Sequence, residues 1–233
     1  MTEYKLPELQ YAHNEFEPVI SEEIMKLHHT VHHQNYVNGL NLHLKSLEEP
    51  ECNIGELIIL INKDVTIEPK KKEIILFNAG GHYNHSFYWK CMSKTPTKPN
   101  IPLTKQMERD FGSFDEFKKA FLASTLSVFK IGWQFLCYDP KNKKLAFYST
   151  EQHGTPFEEG LLPILACDLW EHAWYLKYKT NKKEFLTKWM DLINWDNVSV
   201  FYDLAIKNKI VDFLSDGNVD LFFGSNNSEK SEF

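Results

Sequence analysis

Arginine is nearly missing from this chain. Arg109 is the single one among 26 basic residues, which face 32 acidic residues for a formal net charge of −6. Nucleic-acid binding draws on basic surfaces and guanidinium forks, so no nucleic-acid partner is expected. Long apolar runs are missing too. None approaches the roughly 18 residues of a membrane span, and no membrane contact is expected. The opening MTEYKLPELQ has neither a basic-then-apolar leader nor an Arg- and Ser-rich presequence, which points to a cytoplasmic protein. Cysteine is scarce, and Cys52, Cys91, Cys137 and Cys167 show no C-x-x-C spacing. That pattern offers neither a zinc knuckle nor a dithiol redox motif, and in a cytoplasmic chain it predicts reduced thiols.

What the chain has in abundance is rings. Its 233 residues include 17 Phe, 10 Tyr, 6 Trp and 10 His, the material for dry pockets containing imidazoles. The length suits one large domain or two small ones with a well-buried core. Ser21 before Glu22 and Glu23 marks a helix start, and Ile24, Leu27, Val31 and Leu40 keep helical spacing towards Leu47, before Pro50. Residues 48–72 read as a loop or short irregular helix ending in Lys70, Lys71 and Lys72. A second helix is expected over about 73–93, and Pro96, Pro99 and Pro102 mark a linker, so the first half reads as an antiparallel helix pair.

The second half is mixed. One helix is expected over 104–130, with Ser113 and Glu116 spaced as a capping box. Two β-rich runs, 133–138 and 144–149, flank Asp139-Pro140-Lys141-Asn142 and predict a hairpin. A third apolar run, 161–167, stops at Asp168. Helical patterns follow at 169–178, 183–192 and 198–214, and the Asn-, Ser- and Gly-rich residues 215–233 form a tail expected to be mobile.

Three segments carry chemistry. In LHHTVHHQNY, His28, His32 and Tyr36 recur every four residues along one helical face, and His29 and His33 form a second pair. Any one of these histidines alone reads as a solvated side chain, but five polar rings in nine residues favour a site. In NAGGHYNHSFYW, Gly80 and Gly81 each cost about 1 kcal/mol of helix propensity relative to Ala. Such a pair inside a helix suggests close approach by another element, and His85 follows one turn later. In CDLWEHAWY, Asp168 ends a buried strand, and a buried carboxylate needs a cation, hydrogen bonds or a proton. Asp168 and Glu171 also have capping-box spacing, which would make Asp168 a simple helix cap. That reading leaves His172, between Trp170 and Trp174, unexplained. Three imidazoles and one carboxylate suit iron, manganese or zinc better than copper(I) or calcium.

Residues 4–50, FNAGGHYNHSFYW at 77–89, GWQFL at 132–136, and 163–195 with its DLWEHAWY resemble the iron/manganese superoxide dismutase family, over nearly all of the chain from residue 4 to about 205. The resemblance implies conversion of superoxide to dioxygen and hydrogen peroxide at one manganese or iron ion per subunit, with a slight lean to manganese. It maps the ligands onto His28, His85, Asp168 and His172. It implies an α+β protein, with an N-terminal antiparallel helical-hairpin domain (1–97) and a C-terminal α/β domain with a small antiparallel sheet (98–214). It further implies a homodimer or homotetramer, in which Glu171 bonds to His172 of the partner subunit and Tyr175 meets His32 of the partner subunit. Tyr36 and His32 fall at a gate and proton relay, and Trp89, Trp133, Phe135 and Trp170 form a dry wall. With one carboxylate and neutral imidazoles, trading hydroxide for water on reduction keeps the site near plus one, so it attracts an anion in both states.

Three departures from the family pattern stand out. Lys130-Ile131-Gly132-Trp133 replaces the usual GSGW, and Lys182 replaces an arginine near the substrate funnel, keeping the charge but losing the planar fork. Where family members place a glutamine beside the solvent ligand, this chain has Gly81 at the helix position and His153 at the loop position, with Gln152 taking that role if the alignment shifts by one. A neutral-or-charged imidazole there predicts activity with either metal. Two other classes remain open at this level: a zinc hydrolase, and a non-catalytic metal-binding or interaction protein.

Overall fold

The structure, a computed structural model, describes residues 3–45, 47 and 52–209. The Ser21 hydroxyl accepts the Ile24 N–H and opens α1 (Glu22–Leu27), whose first-turn acids face the positive dipole end. The rod then changes winding. His28–His33 is π-helical, and α2 (Gln34–Leu44) resumes the ordinary pitch. The expected uniform helix is therefore three windings in series, with the wide turn carrying the histidine-rich motif.

Residues 48–72, expected to be a loop or irregular helix, contain the regular helix α3 (Ile54–Lys63). Its start is a reciprocal capping box. Asn53 Oδ1 accepts the Glu56 N–H at 2.9 Å, and Glu56 accepts the Asn53 N–H at 3.0 Å. Helix α4 (Pro69–Lys90) begins earlier than expected because Glu68 caps Lys70 and Lys71 and proline suits the first turn. The Lys72 ammonium donates to the carbonyls of Asn62 and Asp64 at the end of α3, so this lysine of the basic run joins two helices. Helices α2 and α3 both pack on α4, giving the expected helical hairpin with an added short helix.

In the second half, the helix expected over 104–130 is two, α5 (Ile101–Phe111) and α6 (Phe114–Leu126). Gly112 breaks it at φ +90°, a conformation that costs only glycine nothing. Ser113 caps the Glu116 N–H at 3.1 Å, while the Glu116 carboxylate turns to Lys119 instead of completing a box. Pro102 lies inside the first turn of α5, not in a linker.

The sheet is antiparallel, in the order β2 (Lys144–Glu151), β1 (Gly132–Asp139), β3 (Leu162–Asp168), and Trp133 stands opposite Asp168. Strand β3 is buried along its whole length, with α4 and α9 (Trp195–Ile206) packed on it, which explains its unbroken apolar run. After Asp168 the expected helix 169–178 is only a 3₁₀ turn (Glu171–Ala173) and the single turn α7 (Tyr175–Tyr178). Helix α8 (Lys182–Trp189) continues into a 3₁₀ turn to Leu192, and the tail lies outside the described residues. The fold is α+β. Among the described residues no helix is long and apolar enough to cross a membrane, and Cys91, Cys137 and Cys167 are buried thiols.

Candidate metal centre

Four elements deliver one side chain each to a single point. His28 opens the π-helical turn, His85 lies on α4, Asp168 ends β3, and His172 sits in the 3₁₀ turn that follows. The Nε2 atoms of His28, His172 and His85 stand 3.0, 3.3 and 3.7 Å from Asp168 Oδ2. One ligand atom from each of the four lies within 4.8 Å of the others. Donors at about 2.1 Å from a common ion are separated by about 3–4 Å, so these spacings fit a shared ion.

The free valences agree. His28 Nε2 and His85 Nε2 are buried with no hydrogen-bond partner, although a carboxylate oxygen is close by. Those lone pairs are aimed at a point between the side chains. His85 Nδ1–H donates to the Gly81 carbonyl at 2.6 Å, which fixes the tautomer and leaves Nε2 free as a ligand. Asp168 Oδ1 accepts the Trp170 N–H at 2.8 Å, so Oδ2 is the atom turned to the imidazoles. The capping-box alternative is thereby corrected. Asp168 takes the amide of Trp170, not that of Glu171, and the Glu171 side chain is exposed.

Burial, and then the charge of His172, push the His28 imidazole down to about 4, and burial holds His85 well below its ordinary value. Both rings are therefore neutral near pH 7, the form that donates a lone pair. Burial alone would raise Asp168, but the charge and hydrogen bond of His172, with His28 close by, outweigh it and hold the carboxyl below the usual range.

Around this set the rings close in. His32 is half-buried and stacks on His172 with centroids 4.3 Å apart. The Tyr36 ring lies 5.2 Å from that of His85 and 4.4 Å from that of His153, and burial, with Asp168 nearby, raises its phenol. Trp89 packs edge-on to His28 at 4.7 Å, Trp133 edge-on to His85 at 5.0 Å, and Phe135 is buried behind Trp133.

His153 and Gln152 part ways. His153 is buried, with its ring stacked on Trp170 at 4.5 Å, while Gln152 is exposed at a positive φ. Trp133 Nε1–H donates to His153 Nδ1 at 3.1 Å, so the ring proton is on Nε2, which is buried and without a partner. Close approach explains the glycine pair. A Cβ on Gly80 would overlap the His153 carbonyl oxygen, and one on Gly81 would stand 2.6 Å from the Tyr36 ring. Lys182 is half-buried and burial lowers its ammonium, with the Asp168 charge acting against that. Glu171 and Tyr175 lie on the surface.

Two features of the site were not among the expected residues. Phe77 packs 4.9 Å from His153 and 5.8 Å from Tyr36. His33 and His82 form a buried pair, Nε2 to Nδ1 at 2.8 Å, behind His85. Their signal was the second histidine pair of HHTVHH and the extra histidine of GGHYNH.

Comparison with known proteins agrees with this geometry. Residues 3–93 match the alpha-hairpin domain of iron/manganese superoxide dismutases, and residues 99–200 match the C-terminal domain of the same proteins. A protein named manganese superoxide dismutase from Chlamydia muridarum is 39% identical over 201 residues, covering 84% of this chain and 93% of the relative. Proteins named Mn/Fe superoxide dismutase, from Aeropyrum pernix and Propionibacterium freudenreichii subsp. shermanii, are 37% and 36% identical, covering 88% and 87% of this chain and 93% and 98% of theirs. With both halves matched and relatives above 30% identity covering most of the chain, the chain belongs to the iron/manganese superoxide dismutase family, a family of oxidoreductases.

Proposed function

We propose that this chain converts superoxide to dioxygen and hydrogen peroxide, with His28, His85, Asp168 and His172 holding one manganese or iron ion. The observation that carries the reading is the convergence of these four side chains, from both family-matched segments, with two imidazole nitrogens left unpartnered. An ion held by these four side chains would supply one-electron redox chemistry, the kind needed to convert one superoxide to dioxygen and another to hydrogen peroxide.

The chain's own residues do the rest. Asp168 contributes the single negative charge, and His28 and His85 stay neutral, so a divalent or trivalent cation would leave the pocket positive enough to draw in an anion. Trp89, Trp133 and Trp170 exclude water and competing donors and lower the local dielectric constant. His153 offers its Nε2–H towards the centre, held by the Trp133 indole and the Trp170 stack. Tyr36, beside both His85 and His153, is the group placed to hand over protons, with His32 next to it on the rod.

Relatives named for manganese and for Mn/Fe support the same two metals here, with the lean to manganese kept. The reading includes a cytoplasmic homodimer or homotetramer with exposed Glu171 and Tyr175 at a subunit interface, and the divisions 1–97 and 98–214 as its two domains. The test is elemental analysis of the purified protein, with dismutation assayed after reconstitution with manganese and with iron. Activity with both ions is expected. Zinc alone with no dismutation would favour the hydrolase alternative.

A further inference from the structure

Helices α2 and α4 interlock through one glycine each. Tyr36 and Gly39 are three residues apart on α2, and Asn78 and Gly81 are three apart on α4, so each pair shares a face on adjacent turns. Gly81 makes room for the Tyr36 ring. The reverse holds one turn along, where a Cβ on Gly39 would overlap Asn78 Oδ1 and stand 2.8 Å from Asn78 Cγ. Each helix thus offers a notch and fills the other's, in the antiparallel order Tyr36 on Gly81 and Gly39 on Asn78. The Asn78 amide has little freedom to yield, because its Nδ2 donates to the Ile74 carbonyl one turn back at 2.8 Å. Glycine is a poor helix former, and at position 39 its use is to let Asn78 reach the α2 backbone.

We infer that Gly39 and Asn78 are positioning residues for Tyr36. Their contact sets the spacing of α2 and α4, and with it where the Tyr36 ring stands against His85 and His153. The inference rests on the reading of Tyr36 as the group that hands over protons, and deepens it. Among the described residues no hydrogen bond holds the Tyr36 hydroxyl, so packing alone places the ring. Three of its packing partners, Phe77, Gly81 and His85, all stand on α4, so a shift of α2 on α4 is felt at every one of them. The Gly39–Asn78 contact lies only about 4.5 Å further along the helix axis, too short a stretch of rod to absorb a misfit. Proton hand-over needs donor and acceptor within hydrogen-bond reach, so a displacement on the order of 1 Å is enough to matter.

Gly39→Ala sets a methyl group against the Asn78 amide, Asn78→Ala removes that amide, and Gly39→Ala/Asn78→Ala lets the new methyl fill the space the amide leaves. A 3-fluorotyrosine label at position 36, read by fluorine NMR in the metal-free full-length chain, should move its resonance in both single variants and return towards the wild-type position in the double. Asn78→Ala adds no bulk, so it reports even where Gly39→Ala does not fold. Dismutation by the manganese-loaded protein should fall at least about fivefold in Gly39→Ala, since misplacement by about 1 Å can cost up to about a hundredfold. It should recover to within about twofold of wild type in the double variant, and in a Tyr36→Phe background Gly39→Ala should cost less than about twofold. A fluorine resonance unmoved in both single variants, no recovery in the double, or an equal loss of rate with Tyr36→Phe overturns the inference and leaves the functional reading standing. A wild type with no dismutation overturns the functional reading, while the fluorine series still decides whether Gly39 and Asn78 place Tyr36.

Discussion

Two sets of buried histidines lie back to back on the π-helical turn. His28 faces His85 and His172, while His29 and His33 face Pro7 and His82. Burial treats both sets alike. It lowers His29 and puts His28 and His82 at about 4, with His33 and His85 well below their ordinary value. The difference lies in where the ring nitrogens go. In the second set Trp89 donates to His33 Nδ1 at 3.0 Å, so His33 Nε2–H donates to His82 Nδ1, and His29 Nε2–H donates to the Pro7 carbonyl at 2.8 Å. His29 Nδ1 has no partner, yet it joins no group that could hold an ion among the described residues. In the first set the nitrogens turn to one carboxylate: His172 bonds it at 3.3 Å, while His28 Nε2 and His85 Nε2 have no hydrogen-bond partner. A buried histidine cluster is a metal site when its lone pairs converge around an acid, and a structural network when they are consumed by donors.

The sharpest break in that comparison is expected from removing ligands. His85→Ala and Asp168→Ala should each lower metal affinity by more than about a hundredfold, beyond the cost of losing an outer partner, and abolish dismutation. His33→Ala should keep its metal and cost about 1–3 kcal/mol of stability for the polar groups it orphans. Metal analysis and urea unfolding read the two separately. Equal metal content across the three variants would erase the distinction between the sets.

The next effect is in pH. His82 titrates at about 4 folded and about 6.5 unfolded, so the unfolded chain binds more protons between those values. The metal-free protein should therefore lose stability as pH falls from about 6.5 to 4, with His82 contributing on the order of 3 kcal/mol. His82→Gln should flatten that slope in urea titrations at several pH values, and an unchanged slope would remove His82 from the account.

His153 belongs to neither set, having one nitrogen bonded to Trp133 and one unpartnered. His153→Gln should shift the ratio of manganese to iron activity by more than about tenfold, equivalent to roughly 1.4 kcal/mol. A ratio that stays put, or a wild type active with one metal alone, would place His153 with the structural histidines. The smallest expected effect is electrostatic. Although the chain is acidic, the rate should fall about two- to threefold between about 0.01 and 0.15 M salt as the screening length contracts. Lys182→Met should weaken that dependence, whereas a rate that rises with salt would mean the acidic surface governs approach.

Three of the four proposed ligands were legible because each sits where the local pattern is unusual: His28 in a ring-dense helix, Asp168 at the end of an apolar strand, His172 between tryptophans. The glycine pair was legible as a close approach, though not what approaches, because Tyr36 and the His153 carbonyl arrive from distant segments. The π-helical winding was not, since spacing of four residues fits both the α and the wider turn. Helix α3 was missed despite the Asn53–Glu56 box, and the break at Gly112 was missed despite the glycine and the serine cap after it. The His33–His82 bond spans 49 residues, and no local pattern announces it. The choice between Gln152 and His153 needed the loop's backbone, which turns one outward and the other in.

The split of the proposed ligands along the chain also has a consequence for biosynthesis. His28 and His85 leave the ribosome early, and Asp168 and His172 emerge more than eighty residues after His85. At about 5–20 residues per second the first pair waits several seconds for the second. Two imidazoles alone make a weak, unselective site, so the identity of the ion is decided only after most of the chain has been made. The metal content of the finished protein would then record which ion was abundant around the nascent chain as its second half folded.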